Sequence, residues 1–238
     1  MKNLFSALSL SLFFVSSFAN AARFERVDSD LKNYDTKVAE IQSDFEKTKS
    51  NVNDKEWVKS KLNFMVEVDQ FMRSMWQSPI QNNYTPEETV YFKTEFLLRN
   101  DNLDSENTAD LKKLLKIYSW FTISDFGTKA DSQAWLIVQH ADLDPNFQNE
   151  VLAVLTDLLP KKETNPQNYA YLFDRIAASW NDQSKRKLQR YGTQGQCLGL
   201  KLWEPIPMEE PHFVDERRAS VGLNTIADYK NVMKEFCY

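Results

Sequence analysis

Two histidines, His140 and His212, and two cysteines, Cys197 and Cys237, are all that the chain offers of the residue types most used in nucleophilic, metal and redox chemistry. A His-rich metal site within one chain is thereby excluded. No Gly-rich phosphate loop, His-Glu-x-x-His, nucleophile elbow or Cys-x-x-Cys occurs either. What remains is a set of polar residues concentrated in the second half. His140 lies in Trp135-Leu-Ile-Val-Gln-His-Ala-Asp142. On a helical wheel Ala130, Ala134, Ile137 and Ala141 share one sector, and His140 falls between Ile137 and Leu136. An imidazole in an apolar sector is either a core histidine satisfied by hydrogen bonds or a group facing a pocket, where it can act as a base or a ligand.

Asp174, in Tyr169-Ala-Tyr-Leu-Phe-Asp-Arg-Ile-Ala-Ala178, stands away from the apolar stripe and beside Ala170, Ala177 and Ala178. Small neighbours leave room for a close partner, so its carboxylate is a candidate to orient His140 or to clamp Arg190, Arg217 or Arg218. Gln189-Arg-Tyr-Gly-Thr-Gln194 crowds two amides, a phenol and a hydroxyl around a glycine turn, an inventory that suits a pocket lining or a structural turn. Asp142, Asp144 and Asp174 with His140 hold metal-ligating atoms, yet Asp144 is better explained as a helix cap before Pro145, and neither a native metal nor a cofactor is expected.

Taken in order, Ile123 to Gly127, Trp135 to Asp142, Tyr171 to Arg175, Gln189 to Gln194, Glu204-Pro205 and Val214 to Leu223 resemble an uncharacterised bacterial family, domain of unknown function number 6624, over roughly residues 107–229. The resemblance implies that Gln139, His140, Asp142, Asp174, Arg175, Gln189, Tyr191, Gly192, Thr193 and Gln194 belong to one site. It implies no reaction. Three functions stay open: an exported protein binding a small ligand, peptide or glycan around His140; a hydrolase-like enzyme using His140 with Asp174; and a protein acting through helix-mediated interaction.

The elements that must position these residues are helical. Only 5 glycines and 8 prolines interrupt 238 residues, too few for a many-stranded sandwich. Val27, Leu31, Tyr34, Val38, Ile41 and Phe45 follow a heptad seam, the feature behind the interaction reading. A second helix carries Trp57, Leu62, Met65, Val68 and Met72. Thr85-Pro-Glu-Glu88 is a helix start, and the polar stretch from Asn100 to Asn107 is expected to end that helix before Ala109 resumes helical spacing. Asp144-Pro145 and Asn165-Pro166 open two more. Beyond Lys185 glycines and prolines gather, and Gln189–Gln194 with Leu200–Trp203 are expected to form a short hairpin in an otherwise irregular tail. The expected class is therefore mainly α, a helical bundle with a small C-terminal hairpin, divided into 1–21, 22–100 and 101–238.

Residues 1–21 read as a secretory signal: Lys2, an apolar run from Leu4 to Phe18, and small Ala19 and Ala21 before a cleavage point at Ala22. A periplasmic or secreted protein with no stable membrane span is expected, and an oxidising compartment lets Cys197 pair with Cys237. The formal net charge of -5 provides no general basic footprint for nucleic acid. The partner left open is a small ligand or another protein.

Overall fold

The computed structural model describes residues 24–76 and 83–237. The expected signal segment and its cleavage point lie outside them. Among the described residues are nine α-helices: α1 Glu25–Glu46, α2 Lys55–Trp76, α3 Pro86–Tyr118, α4 Ile123–Phe126, α5 Thr128–His140, α6 Pro145–Leu158, α7 Pro166–Ala178, α8 Val214–Ser220 and α9 Ile226–Met233. One antiparallel hairpin joins β1 Gly195–Gly199 to β2 Leu202–Pro205. The protein is thus mainly helical with a small C-terminal hairpin. No helix among the described residues is long and apolar enough to cross a membrane.

Local chemistry explains where the helices begin. The Thr85 hydroxyl accepts from the Glu88 amide while the Glu88 carboxylate accepts from the Thr85 amide, a reciprocal capping box with Pro86 at the first helical position. Asp144 and Asn165 cap α6 and α7 by accepting from the amides of Phe147 and Gln167, each ahead of a proline. The polar stretch from Asn100 to Asn107 does not end α3, contrary to expectation. Leu103, Asp104, Asn107, Thr108 and Leu111 all turn inward, so the helix runs on with polar groups on its buried face.

The chain divides into two compact units, with α2 and α3 running through both. Of the described residues, unit one holds 24–48, 70–76 and 83–102. In it Val27, Leu31 and Tyr34, the first half of the heptad seam, are buried together with Met72, Phe92 and Phe96. Unit two holds residues 49–69 and 103–238. Its core joins Val58, Leu62 and Met65 to Leu111, Phe121, Ile137, Val151, Leu155 and Leu172. A second buried node is Asp131, fully enclosed, which accepts from Trp120 Nε1, Thr164 Oγ1, the Asn165 amide and Asn168 Nδ2 and so ties α5 to the start of α7.

The hairpin lies further along the chain than the sequence reading put it. Gly195 pairs with Pro205 and Cys197 with Trp203, with an irregularity between Cys197 and Gly199. Gln189 makes an isolated parallel bridge to Met208, and from there to Gln194 the chain turns, with the amides of Arg190, Tyr191 and Thr193 directed to the buried Asp174 carboxylate and not to a partner strand. Gly195 is required, since a Cβ there would lie 2.2 Å from the Trp203 ring. Cys197 and Cys237 form a disulfide, fastening the hairpin to the C-terminal residues. With a sequence separation of 40, the chain-entropy model gives about 4 kcal/mol. Reduction should lower the melting temperature by about 10 °C. Calorimetry with and without reductant checks this, and an unchanged midpoint would show that the bridge adds no stability.

Candidate functional site

His140 is the last residue of α5, and its Nδ1 lies 2.8 Å from Oδ1 of Asp69 on α2. Asp69 is 1% exposed and the His140 side chain 17%. Asp104 of α3, also buried, completes the group: one ligand atom from each of Asp69, Asp104 and His140 lies within 4.8 Å of the others. With Asp69 ionised, the hydrogen bond places the imidazole proton on Nδ1 and the lone pair on Nε2, the tautomer a general base uses. The imidazole opens on a cleft of about 260 Å³ lined by Asp104, Thr108, Lys112, His140, Leu143 and Asp144.

Within this cleft Lys112 forms an ion pair with Asp144 and stands 4.9 Å from the centroid of the Phe147 ring. The lysine, together with the Phe147 amide, holds the Asp144 carboxyl below its usual range. A carboxyl depressed in the fold stabilises it above the unfolded value near pH 4, and this stabilisation is lost as pH falls through the folded value. The expected result is an NMR titration midpoint for Asp144 below 3.8 that returns toward that value in Lys112→Met. A midpoint unmoved by the substitution would remove the ion pair as its cause.

The other residues singled out in the sequence meet in a neighbouring network. Asp142 is clamped by Arg175, with Nε to Oδ1 at 2.9 Å and Nη2 to Oδ2, and accepts from Gln148 Nε2 at 3.2 Å. Gln194 Oε1 accepts from Arg175 at 3.4 Å and from Trp180 Nε1 at 3.1 Å. Asp174, fully enclosed, accepts from the amides of Arg190, Tyr191 and Thr193 and from the Thr193 hydroxyl. Burial pushes its carboxyl up, opposed by these donors. Gln189 donates to the carbonyls of Gln194 and Ile206 and accepts from the Gln194 amide. Tyr191 packs edge-on against Phe173, and its carbonyl accepts from the buried Arg218. Gly192 takes φ 68° to complete the turn. Gln139 is buried beside His140, with its Nε2 lacking a hydrogen-bond partner among the described residues. Of the roles open to Asp174, orienting His140 or clamping Arg190, Arg217 or Arg218, the carboxylate takes neither and organises the loop through its amides, while the carboxylate at His140 is Asp69.

A family model described as a family of unknown function, DUF6624, matches residues 47–238. The chain belongs to DUF6624. No curated protein and no solved structure matches it. The DUF6624 match extends well upstream of residue 107, where the resemblance seen in the sequence begins, and takes in Asp69 and Asp104.

Those two carboxylates are what the sequence reading of this DUF6624 chain missed. A signal existed for Asp69, which falls seven residues after Leu62 and four after Met65, inside the stripe that α2 buries. A carboxylate in such a stripe must be partnered or functional. Asp104 had its own signal in its spacing of seven from Leu111, but the surrounding Asn and Asp residues disguised it as loop.

Proposed function

We propose that this DUF6624 protein is a hydrolytic enzyme acting in the cleft beside His140, with Asp69 as the carboxylate that holds the imidazole. The observation that carries the reading is the 2.8 Å Nδ1 to Oδ1 contact between a cleft-lining histidine and an aspartate that is 1% exposed. A buried carboxylate fixes the ring orientation and tautomer and stabilises the imidazolium formed on proton transfer. In hydrolysis Nε2 takes a proton from water as the water oxygen bonds to the electrophilic centre. The bond to the leaving group then breaks, and the same proton passes to that group.

The disulfide supports placing the enzyme in an oxidising compartment outside the cytoplasm, in keeping with the expected signal segment. The purified chain is to be assayed with p-nitrophenyl acetate, p-nitrophenyl phosphate and p-nitrophenyl N-acetylglucosaminide. Turnover of one of them by the native protein, lost in His140→Gln at unchanged melting temperature, is the expected result. No turnover of any, or equal rates in the variant, would overturn the reading.

A further inference from the structure

Asp142, Asp144 and Asp174, the carboxylates that the sequence sets beside His140 as metal-ligating groups, are each engaged elsewhere: with Arg175, with Lys112 and the Phe147 amide, and with the Gln189–Gln194 turn. A histidine–carboxylate dyad requires Asp69 alone, and Asp104 brings a second buried carboxylate to the same place.

We infer that Asp69, Asp104 and His140 form a binding site for one divalent transition-metal ion, of the Zn²⁺ or Mn²⁺ class. The inference rests on the same side chains as the hydrolytic reading but not on hydrolysis. Three features carry it. First, one donor atom from each residue lies within 4.8 Å of the others, and the donors come from three different helices whose packing fixes them. Second, the donor set is two carboxylate oxygens and one imidazole nitrogen. Imidazole selects against Ca²⁺ and Mg²⁺, which favour oxygen throughout, and the carboxylates select against the softest ions. The 2.8 Å between His140 Nδ1 and Asp69 Oδ1 is close to the edge of about 3 Å spanned by two ligands at right angles, each about 2.1 Å from an ion. Third, Asp104 and His140 both line the cleft, which supplies an entry path and the open coordination position that distinguishes a catalytic ion from a structural one.

Lys112 in the same cleft does not oppose the ion's charge, because Asp144 neutralises it. With an ion bound, His140 would serve as a ligand and not as a base, and the ion would supply Lewis-acid chemistry in the cleft.

The test equilibrates the purified full chain with Zn²⁺, Mn²⁺ or Mg²⁺, removes unbound ion by gel filtration and measures metal by inductively coupled plasma mass spectrometry. One Zn²⁺ or Mn²⁺ per chain is expected, with little Mg²⁺, and at least about tenfold weaker binding in Asp104→Asn and His140→Gln. In case these variants fail to fold, Co²⁺ loaded into the native chain is expected to show visible d–d bands and paramagnetically shifted imidazole protons. Both should persist in His212→Gln, which leaves His140 as the only histidine. A chain that retains no ion, variants that bind as the native chain does, or Co²⁺ without imidazole shifts would each overturn the site. A chain that retains no ion yet hydrolyses at full rate, with that rate lost in His140→Gln, overturns the ion and keeps the dyad. One bound ion without hydrolysis keeps the ion and overturns the hydrolytic reading.

Discussion

Replacing His140 by Gln is expected to lower kcat by about 10²- to 10⁴-fold on whichever chromogenic substrate the protein turns over, with little change in melting temperature. The stability half follows from location: the side chain is 17% exposed at the end of α5 and faces a cleft, and an amide of similar size leaves no cavity. Asp69→Asn is the sharper probe. It preserves the volume of a side chain that is 1% exposed but replaces an acceptor-only carboxylate with a group that can also donate toward Nδ1. The imidazole then favours the tautomer with its lone pair on Nδ1, directed at the amide. A loss in kcat comparable to that of His140→Gln is expected, with a smaller change in KM, because the interaction is needed most when the imidazolium forms. Steady-state kinetics on both variants alongside their thermal melts decide the matter. Full activity in Asp69→Asn would leave His140 without the partner on which the proposed function rests.

How far the sequence disclosed this site depends on how local each determinant is. Thr85-Pro86, Asp144-Pro145 and Asn165-Pro166 mark helix starts through contacts within three residues, so those starts are legible without any tertiary knowledge. The Cys197–Cys237 bridge was legible for a different reason, since two cysteines leave a single intramolecular pairing. The run from Asn100 to Asn107 reads as a breaker because polarity is taken to mean solvent, whereas Asp104, Asn107 and Thr108 are buried. That same confusion concealed Asp104 from the site. His140 was recognisable from its apolar sector, but its partner was not. Asp174 and Asp69 both lie on buried helical faces, and only the tertiary arrangement shows which carboxylate the ring meets. The hairpin was misplaced for a related reason: Gln189 to Gln194 carries turn and strand residues alike, and the Asp174 carboxylate sixteen residues upstream of Arg190 draws the amides of Arg190, Tyr191 and Thr193 away from pairing.

Asp174→Ala is expected to destabilise the protein by about 3–5 kcal/mol, the cost of leaving buried partners of a charged group without it. At this chain length that corresponds to a fall in melting temperature of about 10 °C. The carboxylate is fully enclosed and accepts from three backbone amides and one hydroxyl, all within residues 190–193. Alanine removes every acceptor while the turn stays closed over the position, because Gln189 still joins Gln194 to Ile206 and Arg218 still holds the Tyr191 carbonyl. The amides cannot reach water without opening that turn, so the cost is the full desolvation penalty and not the small net value of an exposed hydrogen bond. Asparagine rescues in part, since its Oδ1 can still accept from the amides of Arg190 and Tyr191 while its NH₂ faces the Thr193 amide, and Asp174→Asn should melt between Asp174→Ala and the native chain. Hydrogen exchange should show the loss concentrated at the amides of Arg190, Tyr191 and Thr193, with α5 and the Asp69–His140 contact still protected. If Asp174→Ala instead abolished hydrolysis with its melting temperature and these amides unchanged, the carboxylate would have to be returned to the reacting site and the division between a cleft centred on His140 and a structural turn centred on Asp174 abandoned.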